Sequence, residues 1–132
     1  MHGQCLCGEI EFTADEVPGV VFNCHCSRCR RSHGADYATQ AFAVRSSLTF
    51  LKGEDKLTEY ESTGGIRTFC SACGSRLMNY GKEGVDYLSV ATACLDNGYQ
   101  GRAVAHCCTS GKAPWHTPTT DIASYPELPD NL

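Results

Sequence analysis

The chain has 132 residues, a formal charge of −4, five histidines and ten cysteines. That length serves one ordinary domain with little room for a second, so residues 1–132 are expected to form a single unit. The acidic balance argues against binding nucleic acid through bulk charge. No stretch approaches the roughly 20 apolar residues of a membrane span, and "MHGQCLCGEIEF" lacks the basic and apolar regions of a secretory signal. The expectation is therefore a cytoplasmic protein whose thiols stay reduced.

In chain order, short runs rich in Val, Thr, Tyr and Phe alternate with Gly, Asp and Ser breaks, and none keeps a helical period for three turns. Strands are predicted over 9–14, 19–24, 36–44, 48–53, 57–62, 66–70, 76–81, 86–95 and 102–108. Their spacing of roughly ten residues points to an all-β sandwich or small barrel. One short helical turn is expected after Cys29, in "RRSHGA". The segment 113–132 holds four of the five prolines and is expected to run extended along the surface.

Seven cysteines fall into three clusters with metal-ligand spacing: Cys5 and Cys7, then Cys24, Cys26 and Cys29, then Cys70 and Cys73. Neighbours this close do not bridge easily, because a disulfide needs Cα atoms roughly 4.4–6.8 Å apart in a defined torsion that C-x-C strains. Zinc takes four ligands in a structural site and about three plus an open position in a catalytic one. Seven ligands therefore suit two zinc ions per chain. Binding as seven thiolates would take the formal charge from −4 to about −7.

Two pairings satisfy this arithmetic. Cys5, Cys7, Cys70 and Cys73 can close one site and leave Cys24, Cys26 and Cys29 open, or Cys26, Cys29, Cys70 and Cys73 can form a zinc ribbon. The first is preferred, since it ties the N-terminus to the middle of the chain and leaves a compact open triad. The competing readings are buried apolar cysteines, a redox C-x-x-C at Cys70 and Cys73, and two purely structural zincs with His25, His33 or His106 as the last ligand.

The motifs "GxCxCGxI" at 3–10, "CHCSRCRRSHG" at 24–34, "FCSACGSRL" at 69–77 and "GKAPW" at 111–115 stand in order over most of the chain. Together they resemble the glutathione-dependent formaldehyde-activating enzyme family, which includes the centromere protein V type. The resemblance implies an Mss4-like fold of folded-over β-sheets stapled by zinc. It also implies a structural zinc on Cys5, Cys7, Cys70 and Cys73 and a catalytic zinc on Cys24, Cys26 and Cys29. The implied reaction joins formaldehyde to glutathione, which makes the expected partner a small-molecule thiol adduct and the expected class a carbon–sulfur lyase or synthase. The alternative class is a non-catalytic zinc module that binds a protein or nucleic acid. Oligomeric state is not legible in the sequence.

Around the triad, Arg28, Arg30 and Arg31 are candidate substrate-binding residues, because guanidinium groups hold carboxylates bidentately. They can equally offset the thiolate charge or face solvent. His25 is expected to point away from the metal, either in a supporting hydrogen bond or as an exposed loop residue. Trp115 is a candidate wall of the substrate pocket, although a lone tryptophan late in a domain is more often a core plug, and that core role is the expectation. Lys112 is expected to be solvated. Cys94, Cys107 and Cys108 match no ligand spacing and are expected as buried small residues, with a minor redox possibility for the adjacent pair.

Overall fold

A computed structural model describes residues 1–129, and the fold is mostly β-sheet with one α-helix. In chain order the strands are β1 (His2–Gln4), β2 (Glu11–Thr13), β3 (Glu16–Cys24), β4 (Ala38–Val44), β5 (Thr49–Lys52) and β6 (Leu57–Ser62). They continue with β7 (Gly65–Cys70), β8 (Arg76–Tyr80), β9 (Tyr87–Ala91), β10 (Ala105–Cys107) and β11 (Ala123–Ser124), and the helix α1 spans Ser27–His33. The described residues gather into two compact units, one from Met1–Val17 with Phe42–Gln100 and one from Pro18–Ala41 with the chain from Gly101 onward.

In the first unit β1, β2 and β5 form an antiparallel sheet, and β9, β8, β7 and β6 lie side by side in that order. Its core is built from Ile10, Phe12, Leu77, Met78, Leu88 and Val90, all essentially inaccessible, with Cys5 and Cys70 among them. The β7–β8 register slips between Arg67 and Phe69. Thr68, fully buried at the slip, repairs the ladder with its side chain: its Oγ1 donates to Met78 O (2.7 Å) and accepts from Met78 N (3.1 Å). A hydroxyl thus stands where a peptide group is missing. At Gly53, φ is +78° and a Cβ would sit 1.9 Å from Glu9 O, so only glycine lets the chain pass there.

In the second unit β11, β10, β3 and β4 are neighbours in that order, with β10 parallel to both β3 and β11. The register sets His106 beside Asn23 and Cys107 beside Cys24. The helix α1 begins at Ser27, upstream of the expected turn, because Cys26 caps it by accepting from Cys29 N at 3.2 Å. It ends at Gly34 in the left-handed region, with Arg30, Arg31 and His33 in a last turn whose dipole favours positive charge.

Several expectations are corrected. β1 and β11 were not predicted, since three-residue and two-residue strands carry no period to read. The run 86–95 stops at Ala91 and tightens into a 3-10 turn over Thr92–Cys94. The C-terminal segment also makes pairings that the sequence did not announce: β11 pairs with β10, and the amides of Cys108, Thr109 and Ser110 donate to the carbonyls of Glu127, Tyr125 and Pro126. Its last three positions, 130–132, lie outside the described residues. Among the described residues, no helix is long and apolar enough to cross a membrane.

Thr68→Val keeps the volume of the side chain and removes both hydrogen bonds, leaving the Met78 amide and carbonyl buried without partners. The expected destabilisation is about 1–3 kcal/mol. A urea unfolding curve indistinguishable from that of the parent would contradict this account of the β7–β8 slip.

Candidate metal centres

All ten cysteines are unbridged. In the first unit the sulfurs of Cys5, Cys7, Cys70 and Cys73 lie within 4.8 Å of one another. A metal–sulfur bond of about 2.3 Å in a tetrahedron sets sulfurs about 3.8 Å apart. Cys5 to Cys7 is 3.5 Å and Cys7 to Cys70 is 3.9 Å, so the four donors fit one ion. Two tight turns build the cluster: Cys5 receives Ile10 N on its sulfur at 3.3 Å, and Cys70 O accepts from Gly74 N at 2.8 Å. Ser75 joins them, its Oγ accepting from Leu6 N and lying 3.2 Å from Cys73 Sγ.

These neighbours divide the thiols by acidity. The Ser75 hydroxyl, with the Cys7 and Ser75 amides, draws Cys73 down to about 6. At Cys7 the Glu9 amide favours the thiolate, but desolvation and the adjoining thiols of Cys5, Cys73 and Cys70 outweigh it and push the group up to about 12. Crowded sulfurs cannot all ionise unless a cation offsets their charge.

In the second unit Cys24, Cys26 and Cys29 form a triad within the same 4.8 Å limit. Cys24 ends β3, Cys26 is the helix cap and Cys29 lies on the buried face of α1, where Gln40 Nε2 donates to its sulfur at 3.6 Å. Cys29 is pushed far up by its neighbours Cys24 and Cys26, with burial adding to the effect. The triad fits a metal with a position left over. The sulfurs of Cys5, Cys7, Cys70 and Cys73 gather within one unit and those of Cys24, Cys26 and Cys29 within the other.

A cavity of about 470 Å³ opens beside the triad, lined by Cys26, Ser27, Arg28, Cys108, Ser110 and Glu127 among others. Of the three arginines Arg28 lines it, Arg30 is turned so that its Nε donates to Gly111 O at 3.2 Å, and Arg31 is exposed on α1. Trp115 corrects the core expectation. Its ring is 71% exposed and its indole N–H donates to Asp36 Oδ1 at 2.7 Å, because the "APW" turn carries it out to the surface. Lys112 Nζ donates to His116 O at an exposed position, near the solvated state expected of it.

His25 is wholly buried, which overturns the exposed-loop reading. Its Nε2 lies 3.1 Å from His106 Nδ1, and His106 Nε2 lies 3.1 Å from Thr119 O. A carbonyl only accepts, so His106 carries its proton on Nε2, and His25 Nε2 donates to His106 Nδ1. Burial first, then His106, His116 and Lys112, depresses His25 to about 4 and keeps the ring neutral. Both imidazoles face each other, and the clusters of sulfur donors include no histidine. His33 sits half-buried in the last turn of α1.

Sequence reasoning missed Ser110 and Glu127 at the cavity and gave Cys108 no place there. Glu127 belongs to no motif, and only the return of the C-terminal segment brings it to Ser110, whose Oγ donates to its Oε1 at 2.8 Å.

A mostly β chain with compact cysteine clusters suited to a soft cation is the class of protein that these elements define. The family model described as glutathione-dependent formaldehyde-activating enzyme matches residues 1–111, and the chain belongs to that family. A crystal structure of a Rhodobacter sphaeroides protein is 31% identical and superposes with a TM-score of 0.62, covering 74% of this chain and 89% of that one.

Replacing His106 by leucine should leave the buried His25 Nε2 without its partner and destabilise the protein by about 1–3 kcal/mol. Chemical denaturation checks this, and an unchanged midpoint would refute the hydrogen-bonded chain.

Proposed function

We propose that the protein is a zinc-dependent carbon–sulfur lyase or synthase acting on the adduct of glutathione, or a similar small thiol, with formaldehyde or a related aldehyde. The observation that carries this reading is the Cys24, Cys26 and Cys29 triad beside a cavity that also holds a guanidinium and a carboxylate. In this reading Cys5, Cys7, Cys70 and Cys73 hold a structural zinc, and the triad holds a second one. A zinc ion bound at the triad would lower the pKa of a thiol that reaches its open position and so favour the thiolate.

The protein's own residues then bind and orient. Arg28 suits a substrate carboxylate, and Glu127 suits the α-ammonium group of a glutathione-like molecule, so the cavity matches a substrate with charges of both signs. The Cys26 cap and the Gln40 amide fix the triad's sulfurs on rigid elements, which limits reorganisation during the reaction. In the forward direction the substrate sulfur attacks the aldehyde carbon, a carbon–sulfur bond forms, and the carbonyl oxygen takes up the proton released by the thiol. The reverse direction breaks the same bond and frees the aldehyde. Trp115 remains a candidate contact only at an outer rim, since it does not line this cavity with Arg28.

The roles of the two clusters separate by mutation. Cys70→Ser should unfold the protein or strip its metal, because structural zinc binding is coupled to folding. Cys29→Ser should leave a folded protein with about one zinc fewer, read by circular dichroism and metal analysis. Equal loss of fold in both would overturn the assignment. For the chemistry, Arg28→Ala should weaken glutathione by about 10-fold to 100-fold in KM, as expected for one lost charge-assisted contact. X-ray absorption at the zinc edge should show an added sulfur neighbour when glutathione is supplied. Two zincs that ignore every thiol offered would favour a structural or partner-binding module.

A further inference from the structure

We propose that Cys24, Cys107 and Cys108 form an additional metal position, suited to a soft monovalent ion such as Cu(I), that shares the Cys24 sulfur with the Cys24, Cys26 and Cys29 triad. The inference goes beyond the thiol–aldehyde reaction and does not depend on it.

Three observations carry it. The sulfurs of Cys24, Cys107 and Cys108 lie within 4.8 Å of one another, the same criterion the other two clusters meet, so Cys24 belongs to two triads. The parallel register of β3 and β10 places Cys107 opposite Cys24 in the interior, where the two residues are 2% and 8% exposed. Finally, Cys108 is the one residue other than glycine among those described that adopts a positive φ, at 56°. Such a backbone is strained in a residue with a side chain and persists only where its surroundings enforce it. Here the enforcement is visible: Cys108 N donates to Glu127 O, and the amides of Thr109 and Ser110 donate to the same returning segment.

Simple packing does not explain this arrangement. Cys94 shows what a packing cysteine looks like in this protein: it is pushed up to about 12 by burial and joins no cluster of sulfurs. Cys107 and Cys108 instead face a third thiol. Cys108 also lines the cavity beside Cys26 and Arg28, which gives an ion a route from solvent.

The donor set names the ion. Three thiolates with neither histidine nor carboxylate among them select soft cations. Zinc in a closed site takes four protein ligands, whereas this triad offers three and shares one of them. A three-coordinate ion that shares the Cys24 sulfur with the neighbouring site suits this donor set.

The test is anaerobic titration of the zinc-loaded chain with Cu(I) against a chromophoric copper chelator, followed by copper and zinc analysis of the desalted protein. One copper per chain should bind with the zinc content unchanged, and X-ray absorption should place sulfur around it. Cys108→Ser should weaken this first equivalent at least tenfold while circular dichroism and zinc content stay as in the parent. Cys107→Ser should do the same, and the half-buried Cys108 provides the variant that keeps the fold if the buried site does not tolerate serine. Cys94→Ser should leave copper binding intact. The proposal fails if the Cys108 variant binds copper as tightly as the parent, or if each copper taken up releases one zinc. No glutathione or turnover enters the measurement, so failure of the catalytic reading would leave its outcome unchanged.

Discussion

Repulsion among crowded sulfurs is the constraint on which the rest of the molecule turns. Thiols held this close, and in part away from water, cannot all become thiolates unless positive charge is supplied from outside the chain. Every element around the clusters works toward holding donors in place despite that repulsion. Backbone amides point at Cys5 and Cys26, a serine hydroxyl lies against Cys73, and a glutamine amide reaches Cys29. In the first unit the apolar core contains two of the sulfurs directly, so packing and ligand placement are the same contacts seen from two sides.

Much of this was legible in the residues. The clusters at 5 and 7, at 24, 26 and 29, and at 70 and 73 announce themselves by spacing, since two-residue and three-residue intervals between thiols serve ligation far better than packing. The β class followed from short runs such as "LTEYES", which is a strand over the predicted residues, Leu57–Ser62. Spacing left open which clusters join, because that depends on how distant strands pair, and both pairings satisfied the count. Register is a property of two segments together. The strand that sets Cys107 beside Cys24 was expected over 102–108 and is three residues long, but its parallel pairing with β3 is not written in its own residues.

The misreadings share a cause. Trp115 and Cys108 were weighed by residue type, and for His25 two readings stood open; in each case tertiary surroundings decided. A tryptophan finds a surface carboxylate at Asp36, a histidine between two ligands turns inward to meet another histidine, and a cysteine beyond the recognised motifs adopts a backbone usually left to glycine. Proline content gave the C-terminal segment the expectation of an extended course along the surface. It said nothing of the way that segment returns to bind residues 106–110 through their peptide groups.

The alternation of side chains along β10 gives that return a further meaning. Successive residues of a strand face opposite sides, so a slip of one position would not shift Cys107 slightly but turn it to the other face and bring His106 or Cys108 into its place. Such a slip would also part His106 from His25, Asn23 and Thr119, leaving polar groups stranded in the interior. The histidine pair therefore acts as a proofreader of alignment: the chain is held to the one strand register that delivers sulfur to sulfur, and misaligned alternatives are penalised before any ion arrives.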